Sequence, residues 1–353
     1  MTLMLASVVD AAEAELALKG GADIIDFADP RRGALGAVPI ETLAKGAEAI
    51  GRRRRVSAAI GDPPCEPGVL SARADALAKA GADILRLAAD VGSLDRLESA
   101  LEALTRKVDL VAVLIADQAP DFDLIPRLAS IGFKGALLEA AEKSGKRLLD
   151  HCGPPRLEAF CALCRSHGLG SWLAGSLQAP DVPRLLLVEP SVLGFRSALC
   201  ARGRRAGPLD AKRFALIRDL IPREGADEAG ARPAASGEAV DVIFVRDFLA
   251  NADIGAYAHE RGAKQRVLFN IEASVRRAGA HADDMRAIFS YDVILDAIRL
   301  VVGRGHIDFI ETIAEDVAAI VLKHPRVRDV RVRVEKLDVV PGSVGVEIRR
   351  AGR

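Results

Sequence analysis

The sequence predicts an α/β protein of two domains: a (β/α)8 TIM barrel over residues 1–221, a linker over 222–239, and an α+β, T-fold-like ββααββ domain over 240–353. Three observations predict it. Up to about residue 221, short aliphatic or β-branched runs alternate with amphipathic stretches of helical period. The next segment, PREGADEAGARPAASGEA, has no apolar periodicity and is dominated by Pro, Gly, Ala and charge. Beyond it come two alternating segments, two of helical period and two alternating again.

Strands are expected at 3–8, 23–27, 56–60, 84–88, 110–115, 135–138, 172–174 and 192–195. Eight strands separated by helical segments in this length is the plan of a closed parallel barrel. GGAD at Gly20 and AGAD at Ala80 recur just before a strand, where a glycine should end the preceding helix. After the linker, 241–254 and 265–277 alternate like long strands, 291–302 and 309–322 carry apolar residues at helical spacing, and 326–335 and 342–348 alternate again. Two hairpins flanking two helices give a four-stranded antiparallel sheet covered on one face. Its two free edges invite closure by assembly with copies of itself, so a homo-oligomer through this domain is expected.

Charge narrows the partners. Lys+Arg and Asp+Glu each number 49, and the balance holds in both parts, with 18 of each from Glu238 onward. Neither part has the basic excess that nucleic-acid binding needs. The run Arg52-Arg53-Arg54-Arg55 reads as a solvated loop before a strand rather than a polyanion site. No window is apolar for about 18 residues and the N-terminus lacks a signal-peptide pattern, so no membrane role and a cytoplasmic location are expected. Five cysteines make no disulfide framework. Cys152, Cys161, Cys164 and His167 raise zinc, but an i,i+3 cysteine pair in LEAFCALCRSH reads as core packing, so no metal is expected.

Four residues of the second domain fall where its layout exposes them: Glu260 after the first strand, Tyr291 and Glu311 at the two helix starts, and Lys336 ending the third strand. Each has an ordinary reading. Glu260 in AHERGAK suits a solvated hairpin, and Glu311 suits a first-turn carboxylate facing the helix dipole. Tyr291 follows Ser290, a good N-cap, and Lys336 lies between Glu335 and Asp338.

The runs DIGAYAHERGAKQRVLFNIE, FSYDVI, FIETIAEDVA and RVEKLDVVPGSVGVEI, in that order and spacing, resemble dihydroneopterin aldolase over roughly 110 residues. The resemblance implies that Glu311 grips the pterin, Tyr291 and Lys336 handle protons, and Glu260 helps to position substrate and water. One carboxylate can accept both N–H donors on the 2-amino-4-oxo edge of a pterin. The pterin ring holds the charge that develops on cleavage, so no cofactor is implied. Leu337 stands where the family commonly has proline after the lysine. The family builds its pocket between subunits, which implies a ring-shaped oligomer.

The first 221 residues resemble (5-formylfuran-3-yl)methyl phosphate synthase, a barrel enzyme that condenses two molecules of glyceraldehyde 3-phosphate. The resemblance rests on GGADIIDFADPRRGALGA, VSAAIGDPP, AGADILRLA, LLEAAEKSGKRLLDH, LAGSL and GFRSALC. It implies catalytic roles for Asp26 and Lys143, and substrate binding by Arg86, Glu139, Gly175, Ser176, Gly194 and Arg196. Two family lysines are replaced: the Schiff-base position is Ala28, and a proton-transfer position is Arg86, whose guanidinium cannot form an imine. Glu139 stands for the usual aspartate. Three readings of the barrel follow: the family reaction with Lys143 as a relocated amine, altered chemistry on a phosphorylated aldehyde, or a non-catalytic binding or scaffolding module.

Overall fold

The computed structural model describes residues 1–32, 35–61, 66–140, 145–223, 239–277 and 284–352. By its internal contacts the chain divides into two compact units, Met1–Pro222 and Arg223–Arg353.

In the first unit eight parallel strands close into a barrel in sequence order. They are β1 (Leu3–Val8), β2 (Ile24–Phe27), β3 (Arg55–Ala59), β4 (Ile84–Ala88), β5 (Asp109–Ile115), β6 (Gly135–Glu139), β7 (Gly170–Ala174) and β8 (Val192–Phe195). Closure is through β1 and β8, with Leu5 opposite Gly194. Helices α1 (Ala11–Gly20), α2 (Ile40–Ile50), α3 (Pro67–Lys79), α4 (Val91–Thr105), α5 (Leu124–Ile131), α6 (Leu148–His151), α7 (Pro154–Ser166), α8 (Asp181–Leu185) and α9 (Ala211–Leu220) run between and after the strands. Leu5, Ile24, Ile84, Val111, Leu137 and Trp172 pack together in one buried cluster, so the barrel is a filled core. Cys161 and Cys164 are buried on α7.

Local sequence explains several of these boundaries. Asp10 caps α1 by accepting from the Glu13 amide at 2.9 Å. Asp90 and Ser93 form a reciprocal capping box on α4. The repeated Gly-Ala-Asp has one job at both sites. Gly21 and Gly81 stand at φ +85° and +102°, where the chain leaves a helix. The aspartate that follows then clamps the start of the neighbouring strand: Asp23 accepts from the Met4 amide and Asp83 from the Val56 amide, both at 2.8 Å.

The second unit has β9 (Val240–Asp253), β10 (Lys264–Arg276), α10 (Tyr291–Gly303), α11 (Ile310–Leu322), β11 (Val327–Lys336) and β12 (Val344–Ala351). The sheet order is β12-β11-β10-β9, antiparallel throughout. Val267, Phe269, Ile271, Ala273 and Val275 alternate along β10 on the buried face, where the apolar sides of α10 and α11 are also buried. The other face stays open, exposing Val242, Phe244 and Leu249 of β9. The register shift opposite Asn270 is a bulge at Asp247, φ +52°, whose amide donates to the Asn270 side chain at 3.0 Å.

Candidate functional site

Two separate groups of side chains carry chemistry, one in each unit. The first lies at the C-terminal mouth of the barrel, where strand ends meet. It encloses about 680 Å³ of space between atoms, its open mouth included. Asp26 near the end of β2, Arg86 on β4 and Glu139 ending β6 all face it. Arg86 donates Nε to Asp26 Oδ1 and Nη2 to Asp26 Oδ2, both at 2.8 Å, with both side chains buried. Its remaining nitrogen, Nη1, lies 3.8 Å from Glu139 Oε2. Burial pushes the Asp26 carboxyl up and the two-pronged contact with Arg86 opposes it. Burial likewise lifts Glu139, opposed by the charges of Arg86 and Arg205 and reinforced by Asp26.

Ala28 also lines this mouth, at 8 % exposure, and no lysine among the described residues does. Lys143 lies outside the described residues. Gly175 and Ser176 form a turn after β7 with φ +114° and +52°. A side chain at Gly175 would meet the Ala140 amide nitrogen at 2.5 Å, so the loops after β6 and β7 touch there.

Gly194 and Arg196 stand at the end of β8. Gly194 lies inside β8, where a Cβ would sit 3.0 Å from that of Ala174. Arg196 spends its donors on the protein: Nη1 and Nη2 on Glu13, Nη1 on the Ser7 carbonyl at 3.1 Å, Nε on the Arg205 carbonyl at 2.9 Å, and Nη2 on the Gly207 carbonyl at 3.0 Å. It latches the loop after β8 to the first helix. That latch brings in Arg205, a lining residue that motif reading missed because it stands in a run of charged and small residues with no periodicity. Trp172, the sole tryptophan of the chain, also lines the mouth.

The second group forms around Glu260, in a 3-10 turn spanning Ala258–Glu260. Lys336 Nζ donates to Glu260 Oε1 at 2.7 Å, Gln265 Nε2 donates to the same oxygen at 2.8 Å, and the Tyr257 amide donates to Oε2 at 3.1 Å. These three donors, Lys336 first, hold the Glu260 carboxyl down at about 2. The side chains of Glu260 and Lys336 are only 11 % and 14 % exposed, so the solvated-hairpin reading of Glu260 does not describe it. Nor does Lys336 pair with its sequence neighbours. Glu335 takes Arg333 and Ser343, and Asp338 takes Arg266. Gly255, at φ +141°, makes room for this carboxyl, since a Cβ there would fall 2.1 Å from Glu260 Cδ.

His306, in the loop between α10 and α11, braces the same turn from the other side. Its Nδ1 lies 2.7 Å from Asp253 Oδ1 and its Nε2 lies 2.9 Å from the Gly255 carbonyl. Both partners only accept, and the Asp253 contact first of all raises the imidazole above its ordinary value. Alternation of β10 hid Gln265 as one more strand residue; Gly255 and His306 showed no pattern in sequence.

Tyr291 opens α10, capped by Ser290, whose Oγ accepts from the Asp292 amide at 3.2 Å. Glu311 is in the first turn of α11. Both are exposed, and neither side chain makes a hydrogen bond or ion pair among the described residues. The structure therefore joins Glu260 to Lys336 and leaves Tyr291 and Glu311 unengaged on the surface.

Comparison with known proteins decides the family. The 4-HFC-P synthase family matches residues 4–218, more than half of the chain. The chain belongs to that family. Its last third belongs to a second one, dihydroneopterin aldolase, which matches residues 243–349. For this 4-HFC-P synthase family member, a relative in Methylorubrum extorquens, provisionally named (5-formylfuran-3-yl)methyl phosphate synthase, is 40% identical over 212 residues, 60% of this chain and 88% of that protein. The (5-formylfuran-3-yl)methyl phosphate synthase of Methanococcus maripaludis strain C7 is 33% identical over 216 residues, covering 58% of this chain and 92% of that one. Among solved structures, dihydroneopterin aldolase from Burkholderia thailendensis bound to guanine is 32% identical, with a TM-score of 0.30, covering 32% of this chain and 93% of that one. Both families are enzymes of cofactor biosynthesis, and no described helix is long and apolar enough to cross a membrane.

Proposed function

We propose that the second unit is a carbon–carbon lyase that cleaves 7,8-dihydroneopterin, or a close relative, to 6-hydroxymethyl-7,8-dihydropterin and glycolaldehyde. The observation that carries this reading is the Lys336–Glu260 contact at 2.7 Å, enclosed and completed by Gln265. Retro-aldol cleavage needs a base for the proton of the second side-chain hydroxyl, a sink for the electrons of the breaking bond, and an acid that protonates the first side-chain carbon. The pterin ring is the sink. An ammonium already donating to a carboxylate enters such a reaction as the acid, which suits Lys336. Glu260, ionised throughout the physiological range, orients that ammonium and a water. Glu311, exposed at a helix start, suits the pterin amine and lactam edge, and Tyr291 suits proton relay to the hydroxyl.

The exposure of Tyr291 and Glu311 supports a pocket completed by a second copy of the domain, and so a homo-oligomer. Soluble pterin and phosphorylated substrates fit a cytoplasmic location. The test is release of glycolaldehyde from dihydroneopterin by the purified full chain. No release, or release unchanged in Lys336→Ala, ends this reading.

For the barrel, the bidentate pairing of Asp26 with Arg86 and the methyl group at Ala28 weigh against imine formation from glyceraldehyde 3-phosphate on the described residues. Borohydride trapping followed by peptide mapping tests this. An adduct on Lys143 would restore the family reaction, with condensation to (5-formylfuran-3-yl)methyl phosphate.

A further inference from the structure

The foot of the barrel, opposite the mouth, carries a feature that neither activity uses. A groove enclosing about 2080 Å³ of space between atoms, its open side included, passes the ends of α2, α3 and α4 and the starts of β3 and β5. The whole arginine run 52–55 lines it, together with Lys79, Arg106 and Lys107, and all of these are exposed. The run is solvated, and it is also one wall of a basic groove. Part of the charge is spent within the protein: Arg55 pairs with Asp109, and Lys107 with Asp75. Arg53 donates to the Ile50 and Ala49 carbonyls at 2.7 and 2.6 Å, closing the end of α2, and Arg54 donates to the Ala22 carbonyl at 2.8 Å. Those bonds fix two guanidiniums without neutralising them. Arg52, Lys79 and Arg106 make no side-chain hydrogen bond or ion pair among the described residues. Arg52 also stands at φ +57°, directly after Gly51 at +59°. A side chain in left-handed backbone costs stability that glycine would save, so folding does not explain the arginine there.

Charge and lining together set the class of partner. Among the described residues no aromatic side chain lines the groove, which leaves no platform for stacking nucleobases. α2, α3 and α4 all turn their C-termini toward it, and the partial negative charge of those ends, with the exposed Glu48 and Asp83, opposes a dense phosphate chain. The same helix ends suit peptide N–H groups. Ala47, Ala78 and Gly81 keep the floor low enough for a backbone to come close, and a Cβ at Gly81 would fall 2.6 Å from that of Ala47. We propose that this groove docks an extended acidic segment of a partner polypeptide, its carboxylates on Arg52, Lys79 and Arg106 and its amides toward the helix ends. Arg53 and Arg54, held by carbonyls, add a fixed positive field along the same wall.

The probe is a fluorescein-labelled peptide of alternating glutamate and glycine, titrated into the full chain and followed by fluorescence anisotropy. The expected result is saturable binding, absent for the glutamine counterpart of the peptide and weakening as salt rises from about 0.05 to about 0.5 M. Arg52→Gln, Lys79→Gln and Arg106→Gln combined should weaken it by about tenfold or more. Circular dichroism should not change, because those side chains bond to nothing among the described residues. Arg52→Gly should melt no lower than wild type, the strained position being relieved, and still bind the peptide less tightly. Lys212→Gln, Lys264→Gln and Lys323→Gln combined make the same charge change at exposed positions outside the groove and should leave binding as it was. No saturable binding of the glutamate peptide overturns the proposal, as does wild-type affinity in the combined groove variant or equal weakening in the charge-matched one. Tighter binding of oligothymidylate or inorganic polyphosphate than of the peptide also overturns it and assigns the groove to a phosphate polymer. None of these outcomes depends on whether the second unit cleaves a pterin.

Discussion

Lys336 and Glu260 lie 76 residues apart in sequence and meet at 2.7 Å, which places the first prediction on single side chains. Lys336→Ala should lower glycolaldehyde release by roughly 10²–10⁴-fold, the range for a lost general acid, with a smaller effect on KM than on kcat. Steady-state kinetics on dihydroneopterin checks it. Because the Glu260 carboxyl is depressed to about 2, its contact with Lys336 is fully present above the ordinary carboxylate value of 4.5 and is lost only as pH falls through about 2. A carbon NMR titration of the Glu260 carboxyl should therefore show no midpoint near 4.5. In the barrel, Arg86→Met removes one partner of a buried pair and should destabilise the fold by about 3–5 kcal/mol, read from chemical denaturation. At this scale the sequence was legible where a residue type announced itself by motif, as with Glu260 and Lys336. It was silent on Arg205 and Gln265, which reach the two groups because of where the backbone carries them.

Among elements, the turn at 255–260 depends on its neighbours for its shape. Gly255→Ala forces a side chain into the Glu260 carboxyl at an unfavourable φ, which should cost about 1–3 kcal/mol and impair cleavage along with stability. His306 connects this turn to the loop before α11. Its imidazole is raised above 6.5, so the latch it forms with Asp253 and the Gly255 carbonyl is intact below that value and is lost as pH rises through the raised one. Proton NMR of the His306 ring should show a midpoint above 6.5, with cleavage declining over the same interval. Asp308 and Arg261 also face this ring and pair with each other, so salt should shift that midpoint. Strand and helix order was legible because periods of 2 and 3.6 are imposed by burial on one face. The 3-10 turn and the brace across it have no period, so sequence alternation could not show them.

Taken whole, the molecule is two compact units with separate cores, one built on a parallel barrel and the other on an antiparallel sheet. A protein ending at Pro222 should therefore keep a native Trp172 emission spectrum and a cooperative melt. The length and alternation that marked eight strands and then four were visible in the sequence because each unit buries its own apolar face. Which side chains would face one another across the barrel was not, since that follows from closure. Asp26, Arg86 and Glu139 stand on β2, β4 and β6, alternate members of the ring. One guanidinium thus spans strands that share no backbone bond. It acts as a crosspiece in the opening, so the mouth is spanned at that level by a side-chain tie as well as bounded by the number and slant of the strands.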